Sequence, residues 1–534
     1  MSFPLLTATA VLPAIGAIAT AAVPAARRTA AKWLALFFSL GTLALAAVVL
    51  VRFEPGGARY QLTESHAWIA DFGVRYELGV DGIGVSLLAL TALLVPFVIL
   101  AGWHDADPLE DVSPNRRWRP TQGFFALILM VEAMVILSFE ATDVFLFYIL
   151  FEAMLIPMYF LIGGFGDRAA PAQFAATAAG GGDEAAATQR SYAAVKFLLY
   201  NLVGGLIMLA AVIGLYVVAG SFSLAEIADA RAAGTLSMAT NTERLLFLGF
   251  FFAFAVKAPL WPLHTWLPNA MGEATAPVAV LITAVVDKVG TFAMLRFCLQ
   301  LFPEASKWAT PAILVLALIS IVYGALLAVG QRDMKRLIAY ASISHFGFII
   351  MGIFAMTSQG QSGATLYMVN HGISTAALML VAGFLISRRG SRLIADYGGV
   401  QKVAPVLAGT FLIGGLATLS LPGLSPFVSE FLVLVGTFSR YPVVGIIATL
   451  GIVLAALYVL VLYQRTMTGA VKPEVRTMPD LRIRELVVVT PLIALLLFLG
   501  VYPKPLTEIV NPAVEHTMSD VQKTDPKPEV EAAP

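Results

Sequence analysis

The sequence has little charge. Only 13% of its 534 residues are Asp, Glu, Lys or Arg, against about a quarter in an average soluble domain. Apolar residues make up 59% of the chain, and its mean hydropathy is +0.83. A soluble protein of this composition would expose large apolar patches to water. The composition therefore excludes a globular cytosolic enzyme and indicates a membrane protein.

Cysteine and net charge are also scarce. Cys298 is the single cysteine, which excludes an internal disulfide, a CxxC redox motif and a cysteine-ligated iron–sulfur cluster. The 34 basic residues balance 34 acidic ones, so the chain lacks the basic excess that binds nucleic acid. We therefore expect neither a nucleic-acid partner nor a bound redox metal.

Long apolar runs dominate what is present. A bilayer core of about 30 Å requires about 20 apolar residues per helix. Fourteen runs between charged or Pro/Gly-rich breaks meet this length: 3–23, 31–51, 82–103, 121–139, 144–163, 194–220, 245–270, 275–302, 309–330, 337–357, 361–386, 405–436, 441–464 and 486–503. The predicted fold class is an all-α polytopic membrane protein with about 14 transmembrane helices.

The loops between these runs differ in basic residues. Nineteen Lys and Arg residues fall on one side of the predicted membrane and ten on the other. Cytoplasmic loops carry the excess of Lys and Arg. The asymmetry therefore predicts that both termini lie on the outer side.

Eight charged residues remain within the apolar runs. They are Glu132, Glu152, Lys196, Lys257, Asp287, Lys288, Arg296 and Glu430. A charge at the bilayer centre costs roughly 2.5–3.5 kcal/mol on insertion scales, so these groups must pair or line water inside the bundle. Such residues indicate an ion pathway by default. For Lys196 and Arg296 a snorkelling, structural role stays open, and for Glu132 the two interpretations are balanced.

Two runs combine a charge with helix-breaking residues. Lys257 stands in FAFAVKAPLWPLHTWLP, and Glu430 stands in TLSLPGLSPFVSEFLVL. Proline removes a helical hydrogen bond, and interrupted helices that carry ionisable groups are typical of midplane transport sites. These runs are the seventh and twelfth of the fourteen. We therefore predict two inverted five-helix repeats, spans 4–8 and 9–13, each with a broken helix as its fourth member.

This pattern divides the chain into four predicted regions. They are three N-terminal helices (1–120), a first five-helix repeat (121–302), a second, inverted repeat (309–464), and a C-terminal helix with a flexible tail (465–534). The Ala/Gly-rich segment 169–188 is predicted to be a low-complexity loop.

Histidines accompany the charged groups. His345 and His371 lie in consecutive spans, and histidine takes and releases a proton near neutral pH. A satisfied core histidine is the alternative at both positions. The sequence has no HxxxH or carboxylate spacing that favours a metal site.

Three motifs together resemble one family. KAPLWPLHTWLP, GQRDMKRLIAYASISHFGF and LPGLSPFVSEFLVLVGTF are similar to the antiporter-like membrane chains of proton-pumping NADH:quinone oxidoreductase, respiratory complex I. The resemblance covers roughly residues 80 to 500. Chains L and N of that complex, which are also similar to Mrp antiporter chains, carry lysine where this sequence has Glu430.

The resemblance implies roles for individual residues. Glu152 matches the fifth-span glutamate that modulates the seventh-span lysine, here Lys257. Lys288 matches the eighth-span lysine of a central polar axis, which His345 and His371 continue. Glu430 matches the twelfth-span glutamate that passes the proton outward. Asp287 and the segment NAMGEATAP depart from the commonest family pattern.

The implied function is proton translocation from cytoplasm to periplasm, driven by quinone reduction in other subunits. The resemblance implies no redox chemistry in this chain; FMN, iron–sulfur clusters and quinone belong to partner subunits. Expected partners are antiporter-like subunits L and N, other membrane-arm subunits and lipids, in a bacterial inner membrane. An Mrp-type cation/proton antiporter subunit is the alternative. An organic-solute transporter and a purely structural scaffold are further rivals.

Overall fold

The structure, a computed structural model, describes residues 3–107, 121–166 and 182–527. Four arginines used in the orientation argument, at 116, 117, 119 and 168, lie outside the described residues, as does most of the predicted loop 169–188. Residues 182–188 of that predicted loop already belong to a helix.

The described chain is mainly helical. In chain order the helices are α1 (Leu5–Ala22), α2 (Arg28–Arg52), α3 (Gly82–Ala101), α4 (Thr121–Glu140), α5 (Val144–Ala153), α6 (Leu155–Phe165), α7 (Gly182–Ala219), α8 (Leu224–Ala232), α9 (Thr240–Lys257), α10 (Leu267–Glu273), α11 (Ala276–Leu299), α12 (Pro303–Val329), α13 (Met334–Phe354), α14 (Ser358–Arg389), α15 (Pro405–Thr418), α16 (Ser425–Arg440), α17 (Pro442–Met467), α18 (Ile483–Val501) and α19 (Lys504–Asp520). Within the described residues, twelve segments are long and apolar enough to cross a membrane, with α5 and α6 taken as one. The predicted polytopic helical class is confirmed.

The predicted seventh span is a divided helix. Helix α9 ends at Lys257, and α10 begins only at Leu267. Prolines between them cannot donate backbone hydrogen bonds. The Ala255 carbonyl nevertheless accepts from the Leu260 N–H at 3.0 Å, and the Val256 carbonyl accepts from Trp266 Nε1 at 2.9 Å. These two carbonyls at the break are thus satisfied by protein groups, as a broken helix at membrane depth requires.

The predicted twelfth span is divided in the same way. Helix α15 ends at Thr418, and α16 begins at Ser425 with Pro426 in its first turn. Gly423 between them has φ +94°, a left-handed conformation that favours glycine. Both helices that were predicted to be broken are thus divided in the structure, and the breaks lie next to Lys257 and Glu430.

The fifth span, predicted from the single apolar run 144–163, is interrupted in the structure. Helix α5 ends at Ala153 and α6 begins at Leu155. Pro157 has no N–H to donate to the Ala153 carbonyl, which accounts for the break. Glu152 therefore lies in the last turn of a short helix.

The eighth span, α11, is buried along its whole length. Two π-helical turns, Leu281–Val286 and Met294–Leu299, flank a central α-helical turn at Asp287–Ala293. Single π turns inside α-helices occur frequently at functional sites.

Two elements outside the predicted spans correct the sequence analysis. Between α2 and α3 an antiparallel hairpin joins β1 (Gln61–Ile69) to β2 (Val74–Val80), with Ser65 opposite Glu77. Helix α19, whose apolar face, including Val510 and Val514, is buried, extends through 515–520 into the predicted loose tail 515–534. The search for long apolar runs could not find either element, because both are short and amphipathic.

Candidate functional site

Lys257 is buried at the end of α9 and contacts the break in the fifth span. Its Nζ donates a hydrogen bond to the Phe151 carbonyl at 2.9 Å and lies 3.9 Å from the centre of the Phe151 ring. The next residue along α5, Glu152, interacts electrostatically with Lys257. Among the described ion pairs none joins Glu152 to Lys257 within 4 Å. Glu152 and Lys257 are therefore near each other but do not form a direct ion pair.

Glycine makes room for the Glu152 carboxylate. A Cβ at Gly205 of α7 would lie 1.7 Å from Glu152 Oε1, so the carboxylate rests on the glycine backbone. A Cβ at the neighbouring Gly204 would lie 3.2 Å from the Cα of Ala253 in α9. The two glycines let α7 pass closely between the helix of the acid and the helix of the lysine. The sequence analysis missed both, because nothing local to α7 indicates which helices it touches.

Lys288 and the two histidines lie together in the buried centre. Lys288 Nζ is 2.6 Å from His371 Nδ1 and 4.2 Å from the centre of the Phe346 ring. The rings of His371 and His345 are 5.2 Å apart. A neutral His371 can accept a hydrogen bond from the Lys288 ammonium, or donate one to the neutral amine. The same contact therefore suits both positions of the proton.

Hydroxyl groups continue this line to Glu430. The Tyr367 hydroxyl donates to Glu430 Oε2 at 3.0 Å, and the Ser420 hydroxyl donates to the same oxygen. The Tyr458 hydroxyl is 3.5 Å from His345 Nε2. A hydroxyl both donates and accepts, so these side chains can pass a proton.

The hydroxyls were missed by the sequence analysis, although a signal for one was present. Tyr367 precedes His371 by four residues in α14, a spacing that puts both side chains on one face of the helix. Ser420 has φ +60° in the break before α16, a conformation that no sequence pattern indicated.

The other candidate residues stand apart from this line of contacts. Glu132 in α4 is fully buried, and neither of its carboxylate oxygens has a hydrogen-bond partner among the described residues. Lys196 is half-buried on α7, 5.8 Å from the ring centres of both Tyr192 and Tyr200. The structure links neither to Lys288 or Glu430.

Arg296 has a structural explanation. It forms a 2.9 Å ion pair with Asp81, and its guanidinium lies over the rings of Tyr60 and Phe292 at 4.9 and 4.7 Å. Within the part of the chain that the structure describes, no group of three or more His, Cys, Asp or Glu residues could hold a metal ion.

Comparison with known proteins leads to the same family as the sequence motifs. Residues 182–455 match the family described as "NADH:quinone oxidoreductase/Mrp antiporter, TM". The chain is 55% identical to NADH-quinone oxidoreductase subunit M of Mycobacterium tuberculosis, over 97% of this chain and 95% of the relative. It is 38% identical to subunit M of Rhodobacter capsulatus, over 93% and 92% of the two chains.

Solved structures share the fold. A chain of respiratory complex I from Thermus thermophilus with bound NADH superposes with a TM-score of 0.82 at 29% identity, covering 97% of this chain and 99% of that one. A chain of the Mrp complex from Dietzia gives 0.79 at 20% identity, covering 98% and 100%, which is a likeness of fold alone. The chain belongs to the NADH:quinone oxidoreductase/Mrp antiporter family, among the membrane subunits of NADH-quinone oxidoreductase that are designated M.

Proposed function

We propose that this chain is a proton-translocating membrane-arm subunit of respiratory NADH-quinone oxidoreductase, with the buried line from Lys288 to Glu430 as part of its proton path. The observation that carries the proposal is the series of contacts Lys288–His371, His345–Tyr458 and Tyr367–Glu430 between the two broken helices. Each group in the series can take up and release a proton or relay one.

The first step concerns Glu152 and Lys257. A nearby carboxylate stabilises the ammonium form of a lysine, and desolvation destabilises it. Movement of Glu152 away from buried Lys257 therefore favours release of the lysine proton. The breaks that follow Glu152 and Lys257 give both helices a place to move, and bistable elements of this kind are what long-range coupling requires.

The second step passes through the centre. Lys288 gives a proton to His371, His345 exchanges protons with the hydroxyls, and Glu430 receives the proton before it leaves on the periplasmic side. The 2.6 Å Lys288–His371 contact and the 3.0 Å Tyr367–Glu430 hydrogen bond are short enough for direct transfer. Water completes the steps between groups that do not touch.

The remaining proposals concern what surrounds the chain. The single cysteine of this chain cannot ligate an iron–sulfur cluster. This chain does no redox chemistry, and FMN, iron–sulfur clusters and quinone lie in partner subunits, as the family resemblance implies. The neighbours are the antiporter-like subunits L and N, in a bacterial inner membrane with both termini on the periplasmic side. The Arg59–Asp520 ion pair supports one part of this topology, because it holds the segment after α2 and the C-terminal helix α19 on the same face.

An Mrp-type cation/proton antiporter subunit is the second candidate, since the fold is shared with an Mrp chain. The 55% identity to a subunit M over nearly the whole chain favours the first.

The test uses Lys257→Ala and Glu430→Gln in the complete complex. Proton pumping in inverted membrane vesicles is measured with NADH, together with NADH oxidation by an artificial electron acceptor that reports assembly. We expect both variants to assemble and to lose pumping, with slower quinone reduction through coupling. An undiminished number of protons per NADH in both variants contradicts the proposal, and sodium-dependent transport supports the Mrp candidate.

A further inference from the structure

Asp287 is a buried acid that the path described so far does not use. Its side chain is fully buried in α11, and neither carboxylate oxygen has a hydrogen-bond partner among the described residues. A carboxyl group in this situation is costly unless it is neutral or close to positive charge.

The backbone of α11 places Asp287 against the first broken helix. A Cβ at Gly290 would lie 2.9 Å from the Ala258 nitrogen and 3.0 Å from the Phe254 oxygen, so α11 touches α9 at the turn that carries Lys257. Asp287 precedes Gly290 by three residues, and residues at this spacing share a face of a helix. Asp287 therefore lies on the side of α11 that meets the end of α9.

Lys288 lies on a different side of the same helix. Consecutive helical residues are turned by about 100°. Lys288 contacts His371 of α14 and the ring of Phe346 in α13. Asp287 thus faces α9 of the first repeat, whereas the adjacent Lys288 faces α13 and α14 of the second repeat.

Both lysines interact electrostatically with Asp287. Among the described hydrogen bonds, none joins Lys257 to Lys288. The Nζ of Lys257 donates to the Phe151 carbonyl, and the Nζ of Lys288 contacts His371. The proposed proton path therefore has a gap inside the first repeat, between Lys257 and Lys288, and Asp287 lies in that gap.

We propose that Asp287 carries the proton from Lys257 to Lys288 and so connects Lys257 to the Lys288–His371 contact, through which the first repeat meets the second. The inference rests on the proposed function. The Lys257 ammonium gives up a proton and becomes a neutral amine, while the Asp287 carboxylate becomes a carboxylic acid. The acid then gives that proton to the neutral amine of Lys288 and returns to the carboxylate. Ordered water carries the proton where the groups do not touch.

A fixed counter-charge is the alternative role, and three substitutions separate the two. Asp287→Asn removes both the negative charge and the ability to carry a proton. Asp287→His restores a proton carrier that is never negative. Asp287→Glu keeps both properties. Each variant is made in the complete complex, and proton pumping is measured in inverted vesicles together with assembly.

A proton carrier predicts that pumping falls at least about tenfold in Asp287→Asn, is retained in Asp287→Glu, and is at least threefold higher in Asp287→His than in Asp287→Asn. Histidine as inactive as asparagine overturns the carrier role, and asparagine within twofold of the unmodified complex overturns any role. Thr283→Val, one helical turn before Asp287, is the matched control, because among the described hydrogen bonds its buried hydroxyl donates to the Ala279 carbonyl of the same helix.

A second measurement covers the case in which Asp287→Asn does not assemble. Infrared difference spectra of the unmodified complex, recorded during turnover, should contain a protonated-carboxyl band that shifts in Asp287→Glu. A spectrum without such a shift contradicts the inference. Failure of the proposed function is distinguishable, since it would leave pumping intact in Lys257→Ala as well.

Discussion

Replacing Gly205 by alanine should displace the carboxylate of Glu152 without changing any charged residue. The new Cβ would lie 1.7 Å from Glu152 Oε1 and 2.2 Å from its Cδ, whereas real Cβ contacts are essentially never shorter than 3.0 Å. The carboxylate or α7 must therefore move by at least about 1.3 Å. A misplacement of about 1 Å costs on the order of a hundredfold in rate at a reacting centre.

The expected result is a tenfold to hundredfold slower pumping rate in inverted vesicles, with assembly unchanged. Alanine has a higher intrinsic helix propensity than glycine by about 1 kcal/mol, so the substitution does not weaken the backbone of α7 itself. A static packing defect would lower the rate at every pH. A displaced Glu152 should instead give the pH profile of pumping that Glu152→Gln gives.

Two further variants make this test decisive. Gly164→Ala is the control, since a Cβ at that glycine of α6 meets nothing within 4 Å. Glu152→Asp shortens the acid by one methylene and should restore part of the pumping lost in Gly205→Ala. The reasoning is refuted if Gly205→Ala pumps at the unmodified rate, or if its loss adds fully to that of Glu152→Gln.

Three other substitutions test separate parts of the structure. Tyr367→Phe removes a donor to Glu430 and should slow pumping by about tenfold to a hundredfold, measured in the same vesicles, whereas an unchanged rate would exclude this hydroxyl from the path. Asp81 caps α3 by accepting a hydrogen bond from the Gly84 N–H at 2.7 Å. Asp81→Asn keeps a good helix cap but leaves Arg296 buried without its charged partner, so the free energy of unfolding should fall by about 3–5 kcal/mol while protons per NADH stay unchanged in the assembled complex. Gly82→Ala places a Cβ 1.9 Å from a carbonyl oxygen of α19 and should increase protease cleavage of that helix; equal cleavage would contradict the close packing.

Much of the fold could be predicted because membrane spans are a one-dimensional signal. About 20 apolar residues cross the bilayer wherever they occur, and a proline interrupts a helix through its own missing N–H. These local rules found Lys257 and Glu430 together with the breaks that carry them. The cost of charge in lipid added Lys288, since a lone lysine in an apolar run needs a reason to be there.

The missed parts depend on which helices meet. Gly205 is one of many glycines in apolar runs until the structure places it beneath Glu152. The Tyr367 hydroxyl gains its meaning from Glu430, which is 63 residues away in the chain. For Arg296 the sequence left a structural role open, and only the structure shows that its ion-pair partner is Asp81. A single sequence does not show which residues from distant parts of the chain will be in contact.

The helix ends at the two breaks complement the charges that lie there. Lys257 is the last residue of α9, and the C-terminal end of a helix carries partial negative charge that favours a cation. Glu430 lies in the second turn of α16, near an N-terminal end that favours an anion. This effect falls off beyond the first or last turn, so it is stronger for Lys257 than for Glu430. The helix end favours the charged form of Lys257, so release of its proton requires a further change, and we infer that movement of Glu152 away from the lysine provides it. Glu430 depends more on its hydroxyl donors, Tyr367 and Ser420, whose hydrogen bonds stabilise the carboxylate that is left when the proton has gone.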